Sequence, residues 1–306
     1  MSLRNAVDEG HGRIVYGVDL SHGAVRGDDG TGDIATNAMS QSAAYVQQTW
    51  ESGNGNRVYA GLRGERDASL GGQYSPSFGF TERIARNLSL KGNVARAFRA
   101  PSASELYFPF YGNPALRPER SRVGDLSLND SAIAGGASLG WFFNFSQDLI
   151  VPDLTTFMAV NKNQAAISGL TLSLRTLPMN RITAAVNVTD LYRAQGFDAS
   201  GAMSRLPNDP VINANVDLTY SGRQNDAVTE AGLRMRVVGN RGPVTFNAPL
   251  FDQPVSYSRL DAYVRTRLGE RAVLTLRGYN LGNERYAEIG GYPMPGRAFG
   301  VELSTH

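Results

Sequence analysis

Apolar and polar residues alternate one by one along segment after segment, which confines this chain to β-strands with one apolar and one polar face. Ile212, Ala214, Val216 and Leu218 alternate with Asn213, Asn215, Asp217 and Thr219, and Leu260, Ala262 and Val264 alternate with Asp261, Tyr263 and Arg265. The same pattern runs through Leu170–Arg175, Ile182–Thr189 and Leu88–Ala95. It predicts about 14 strands. They lie near 13–20, 43–51, 57–67, 73–82, 87–100, 117–129, 136–150, 163–176, 181–194, 211–220, 229–240, 257–268, 272–282 and 296–305, with no convincing helix between them. The fold class is all-β.

The connections between these strands alternate in length. Long ones are expected at 21–42, 68–72, 101–116, 151–162, 195–210, 241–256 and 283–295, and short ones at 52–56, 83–86, 130–135, 177–180, 221–228 and 269–271. Short turns on one rim and long loops on the other are the habit of an outer-membrane barrel. The polar strand faces carry Arg63, Glu65, Lys91, Asp217, Arg234, Arg236, Arg265 and Arg267. On a soluble sandwich these are solvated faces; on a membrane barrel they line a wet or plugged lumen. Aromatics near strand ends, such as Tyr16, Trp50, Tyr192, Tyr220, Tyr257 and Phe299, suit two interfacial girdles. Periodicity alone leaves both architectures open.

Composition narrows the function. Hydrophobic residues make up 42% of the 306, charged residues only 19%, and glycines number 34, which suits strands separated by many turns. No run of 18 apolar residues exists, so no transmembrane helix is expected. A net charge of +2 gives no strong pull on nucleic acid. With no cysteine there is no thiolate ligand or nucleophile, and histidines occur only at 11, 22 and 306. A hydrolase would need a Ser–His pair, and neither His11 nor His22 sits in a recognisable motif. No signal peptide is visible, and Met1-Ser2-Leu3-Arg4 reads as a leader.

Two stretches carry chemistry that can be matched. Residues 93–122 read NVARAFRAPSASELYFPFYGNPALRPERSR. Pro101 cannot donate to a ladder and ends a strand, Gly112-Asn113-Pro114 is turn chemistry, and Pro118 starts the descending strand. The ordered set Phe98-Arg99-Ala100-Pro101, Glu105-Leu106-Tyr107, Gly112-Asn113-Pro114, Leu116, Pro118 and Glu119 resembles the central motif of TonB-dependent outer-membrane receptors. The C-terminal stretch resembles the end of the same family through Asn280-Leu281-Gly282-Asn283, Tyr286, Gly291-Tyr292 and Pro295-Gly296-Arg297. Tyr45–Trp50, Ala60–Arg63 and Ala165–Leu172 add weaker matches, the last with Thr171 where the family has an acidic residue.

The resemblance implies an antiparallel transmembrane β-barrel in the outer membrane of a Gram-negative bacterium. Residues 1–306 would be the C-terminal part of a 22-stranded, plugged barrel, with the plug domain absent from this chain. It implies active uptake of a scarce nutrient, by default a ferric siderophore, driven by the TonB–ExbB–ExbD complex acting on the plug, and no covalent chemistry on the ligand. A cobalamin or haem receptor of the same family and a passive porin-like channel are the alternatives, and a soluble β-sandwich binding module fits the motif less well.

The ligand-binding candidates are Tyr107, Phe108, Phe110 and Tyr111, an apolar platform with hydroxyl handles, and the flanking Arg99 and Arg117, suited to an anionic chelate. Phe246, Phe251 and Tyr292 are weaker candidates of the same kind. No resident cofactor is expected. Asp28, Asp29 and Asp33 have calcium-like spacing but lack the twelve-residue pattern and bidentate Glu of a dedicated loop.

Overall fold

A computed structural model describes residues 1–28, 34–67, 70–133, 135–153, 156–197, 202–206, 209–223, 226–241, 256–269, 271–289 and 292–305. The chain runs β1 (Ser2–Glu9), β2 (Gly12–Asp28), β3 (Ile34–Glu51), β4 (Arg57–Asp67), β5 (Gly71–Arg83), β6 (Leu88–Arg99), α1 (Ala103–Tyr107), β7 (Glu119–Asp130), β8 (Ala137–Pro152) and β9 (Ala159–Arg175). It continues with β10 (Ile182–Phe197), β11 (Met203–Arg205), β12 (Pro210–Ser221), β13 (Glu230–Arg241), β14 (Tyr257–Leu268), β15 (Ala272–Tyr279), β16 (Ala287–Ile289), β17 (Tyr292–Pro293) and β18 (Ala298–Thr305).

Neighbouring strands follow the chain, in the order β1-β2-β3-β4-β5-β6-β7-β8-β9-β10-β12-β13-β14-β15-β18, with β11 on β10 and β16 paired only with β17. The fourteen segments read from alternation are β2 to β10, β12 to β15 and β18. Sequential antiparallel pairing needs only short connections and satisfies each strand from its neighbours.

Four expectations are corrected. Ser2–Glu9, where no strand was expected, is a strand paired from Ser2↔Asp19 to Glu9↔Gly12; its apolar residues are too sparse to show as a period. The 21–42 stretch is mostly ladder, paired out to Asp28↔Ile34, because Ser, Thr, Ala and Gly extend strands without marking a face. The 68–72 connection is short, since β4 ends at Asp67 and β5 begins at Gly71. A five-residue helix, α1, occupies the central connection, too short for a 3.6-residue period to appear.

Register explains the two faces. Val46 stands opposite Leu62 while the adjacent Tyr45 stands opposite Arg63. Leu62 and Phe78, on one face, are 51% and 47% exposed; large apolar groups at such exposure are what a lipid-facing wall presents. The other face carries ion pairs: Arg63 to Asp19 at 2.7 Å, and Arg234 to Asp217 at 2.5 Å.

The contacts define two compact units, one of Met1–Ser127, Phe142–Ser168 and Gln195–Ser204, the other of Leu128–Trp141, Gly169–Ala194 and Arg205–His306. In the first, Leu106, Leu116 and Ala159 are buried together, with Met39, Tyr107, Tyr111 and Ile150 packed around them. In the second, Val238, Tyr257 and Tyr286 form the buried cluster.

Glycines opposite aromatics recur across the ladders. Tyr59 faces Gly79, and a Cβ at Gly79 would stand 2.3 Å from the Tyr59 ring. Tyr263 faces Gly232 in the same way, at 2.2 Å. The ring fills the space a side chain would take. Gly79→Ala is therefore expected to destabilise by about 1–3 kcal/mol through overpacking. Gly64→Ala, where a Cβ meets nothing within 4 Å, should change stability by about 0.5 kcal/mol or less. Thermal unfolding of the two variants in detergent micelles measures the difference.

Candidate functional site

The connection from Ala100 to Pro118 is a built structure rather than a loose loop. Ser102 caps α1: its hydroxyl accepts from the Glu105 N–H at 3.3 Å, and Glu105 accepts from the Ser102 N–H at 2.7 Å. This reciprocal capping box aims the Glu105 carboxylate back at the end of β6. There the Arg99 guanidinium donates to Glu105 at 2.9 and 3.0 Å and to Glu119, the first residue of β7, at 2.8 and 2.6 Å. Glu119 also accepts the Ile150 N–H at 2.8 Å. One guanidinium thus ties together the end of β6, the helix and the start of β7 through paired charge-assisted bonds.

The other motif residues close the connection onto the rim. Leu106 and Leu116 are buried at 2% and 3% exposure. Asn113 donates its N–H to the Glu105 carbonyl at 2.8 Å and its amide to the Ala159 carbonyl at 2.9 Å, and accepts from the Ala115 N–H at 3.0 Å. The Ala159 N–H returns a bond to the Tyr111 carbonyl at 2.8 Å. A Cβ at Gly112 would lie 2.6–2.8 Å from backbone atoms of Phe108, Tyr107 and Leu106, so no larger residue fits. Pro101 and Pro118 are buried.

The aromatic candidates divide. Tyr107 and Tyr111 are half-buried against the Leu106–Leu116–Ala159 cluster. Phe108 and Phe110 are 60% and 89% exposed, and Phe110 has φ of 64°, a left-handed conformation that costs a bulky residue roughly 1–3 kcal/mol. A strained, exposed phenylalanine marks a position held for something other than stability. Phe157, in the β8–β9 connection, repeats the pattern with φ of 57° and 72% exposure. Sequence reading missed it; its only signal was one aromatic in the 151–162 connection, with no motif around it. The cationic candidates divide as well. Arg99 is committed to its two carboxylates, whereas Arg117 pairs with Asp148 at 2.7 Å while its side chain stays 66% exposed. Asn161 holds that pair in place, accepting the Arg117 N–H at 2.7 Å and donating to the carbonyls of Arg117 and Asp148 at 2.8 and 2.7 Å.

The C-terminal motif forms a second tied connection. Asn280, buried and at φ of 48°, accepts the Glu284 N–H at 2.8 Å and donates to the carbonyls of Glu284 and Pro295 at 2.9 and 3.2 Å. Asn283 accepts the Arg297 N–H at 3.0 Å, and a Cβ at Gly296 would lie 2.8 Å from the Asn283 side chain. Tyr286 stacks on Tyr257 with centroids 4.4 Å apart and accepts from Arg259 at 3.0 Å. The buried Arg241 reaches the Ala287 carbonyl at 2.6 Å and Glu288 at 3.0 Å. Tyr292 is exposed. Phe246 and Phe251 lie outside the described residues, as do Asp29 and Asp33; Asp28 is the last residue of β2. Among the described residues, no group of three or more His, Cys, Asp or Glu is placed to hold a metal.

Sequentially paired antiparallel strands with one apolar and one polar face, and tied connections at their ends, are the local features of a transmembrane β-barrel wall. The model of the TonB dependent receptor-like β-barrel matches residues 6–281, and the chain belongs to that family. It is 26% identical, over 96% of its length and 49% of the relative's, to an iron-regulated outer membrane virulence protein of Vibrio cholerae. It is 22% identical, over 86% of its length and 41% of the relative's, to the ferric enterobactin receptor PirA of Pseudomonas aeruginosa. The chain thus spans about half the length of the curated relatives it matches. Among solved structures, the siderophore receptor PirA of Acinetobacter baumannii superimposes with a TM-score of 0.79 at 19% identity, covering 100% of this chain and 54% of that one. The copper transporter OprC superimposes with a TM-score of 0.80, also at 19% identity, covering 99% and 55%. The shared fold is the TonB-dependent transmembrane β-barrel.

Arg99 hydrogen bonding holds the Glu105 carboxyl below the usual glutamate range, against the opposing effect of burial. A carboxylate lowered on folding contributes stability above its unfolded pKa, of about 4.3, and loses it as pH falls through the folded value. Proteolysis of the 100–118 connection should therefore be flat through neutral pH and accelerate only in acid below that value, with Glu105→Gln raising the rate at neutral pH. Gly112→Ala should make the connection protease-sensitive at every pH.

Proposed function

We propose that this chain supplies the C-terminal part of the barrel, and part of the ligand-binding rim, of a TonB-dependent receptor that takes up a ferric siderophore across the outer membrane of a Gram-negative bacterium. The observation that carries the reading is the exposed Phe108 and Phe110, the latter in a left-handed backbone conformation, standing on an otherwise tied connection. Catecholate or heterocyclic faces of a chelate stack on such rings, and the half-exposed Arg117 offers a cation to an anionic complex. The names of the relatives support iron as the cargo. Residues 1–306 do no covalent chemistry in this reading. Energy comes from TonB–ExbB–ExbD acting on a plug carried by the full protein, and lipid contacts the apolar face.

The test is uptake of iron-labelled siderophores by iron-starved cells carrying the full-length receptor. Uptake should require an intact TonB complex and proton-motive force; uptake that survives without either would instead indicate a passive channel. Each exposed ring contributes about 0.5–1.5 kcal/mol, so Phe108→Ala with Phe110→Ala should raise the Kd for the ferric chelate about ten-fold while the folded yield stays unchanged. Titration with copper(II) alongside decides between the cargoes named for the relatives that share the fold.

A further inference from the structure

Arg236, Arg241 and Arg259 gather where β13 ends and β14 begins, and the strands themselves answer only one of them. Arg236 stands opposite Arg259 and Val238 opposite Tyr257, so these four side chains share one face of the ladder. Like charges placed directly opposite one another are destabilising. Asp261 takes Arg259 at 2.9 Å. The carboxylate for Arg236 comes from outside the ladder, from Glu288 of β16. Its Oε1 lies 3.3 Å from Arg236 and accepts the Tyr257 hydroxyl at 2.6 Å, while its Oε2 lies 3.0 Å from Arg241.

Among the described residues the cluster sets three guanidinia against two carboxylates. Arg241 is only 6% exposed, and its Nε is buried with no hydrogen-bond partner among the described residues, as is that of Arg259. A cation held in such a place needs an anion beside it. Two features keep the cradle formed when Glu288 leaves it. The Arg241 guanidinium also donates to the Ala287 carbonyl at 2.6 Å and lies 5.0 Å over the Tyr257 ring. Tyr286 and Ala287 are fully buried and anchor β16 on their own, through the ring stack on Tyr257 and the bond from Arg259. The Glu288 side chain is 34% exposed, so solutes reach it without unpacking those anchors.

We propose that Arg236, Arg241 and Tyr257 form a seat for the carboxylate of a small ligand, and that Glu288 fills the seat until the ligand displaces it. The donor set suits a planar carboxylate, with a guanidinium on each oxygen and a hydroxyl beside one of them. A tethered carboxylate competes at high effective concentration. The resting protein therefore binds free carboxylates weakly, because its apparent affinity is lowered by the small fraction of seats that Glu288 leaves empty. The seat shares no residue with the 100–118 connection. The inference does not depend on the uptake reading, since its probe carries no metal.

Calorimetric titration of the full-length protein in detergent with metal-free succinate measures the seat directly. Glu288→Ala should bind succinate about ten-fold more tightly than wild type, or better, because the resident competitor is gone. If Glu288 only staples its connection, its loss brings no gain. Glu288→Gln keeps the side-chain volume and weakens the charge-assisted bonds, so it should show a smaller gain in the same direction, and it keeps the test decisive if the alanine variant folds poorly. Adding Arg236→Ala to Glu288→Ala should abolish the gain. Glu302→Ala, which unpairs Arg277 elsewhere on the ladder, should give none. Succinate binding by both Glu288 variants equal to that of wild type overturns the proposal, and so does an equal gain in Glu302→Ala. A response to sodium chloride as large as that to succinate marks charge screening alone and overturns it too.

Discussion

Hydrocarbon offers no partner to an amide, so every N–H and C=O within it must be answered by the protein. That constraint shapes the rest of the chain. It dictates strands that pair with their sequence neighbours, and it restricts interruptions of the ladder to the ends. It also explains why the apolar face can remain exposed in a stable fold: the solvent on that side is lipid, and the hydrophobic core of a water-soluble domain has no counterpart there. The two buried apolar clusters collect at the ends of strands, where connections return to water and must pack on their own account.

The central connection shows how that packing is achieved with few residues. A capping box orders five residues of helix, the helix aims a carboxylate, and the carboxylate shares one guanidinium with the next strand. Each bond lies in a partly solvated place where a lone surface ion pair contributes little. The arrangement gains from being a network in which Arg99, Glu105 and Glu119 hold one another in a single geometry, with Ile150 adding a backbone donor. The C-terminal connection reaches the same result by other means, a buried asparagine in a left-handed conformation serving as both donor and acceptor.

Much of this architecture was legible in the order of residues because period-2 alternation and strand pairing obey the same geometry. Twelve of the fourteen segments could be placed within a few residues, since Leu, Val and Ile mark a face wherever they occur. β1 and the upper halves of β2 and β3 escaped notice because small polar residues pair as well as large ones and leave no periodic trace. Gly112 and Asn113 could be read as structural from turn chemistry, and Asn280 only through the family resemblance. The candidate binding residues could not be sorted in that way. Phe108 and Phe110 stand in the same short stretch as Tyr107 and Tyr111, and only packing tells the exposed pair from the half-buried one. Arg99 and Arg117 looked equivalent in sequence; the partners that distinguish them, Glu105, Glu119 and Asp148, are brought together by the fold. Phe157 had no sequence context to announce it.

The residues that hold the 100–118 connection and the residues that stand free on it are separate sets, interleaved along one short stretch. Leu106, Gly112, Asn113 and Leu116 point inward, and Phe108, Phe110 and Arg117 point outward. A lineage can therefore substitute the second set without disturbing the first. Such separability leaves the exposed side chains free to vary on an unchanged frame. A siderophore receptor and a copper transporter share the barrel fold with this chain.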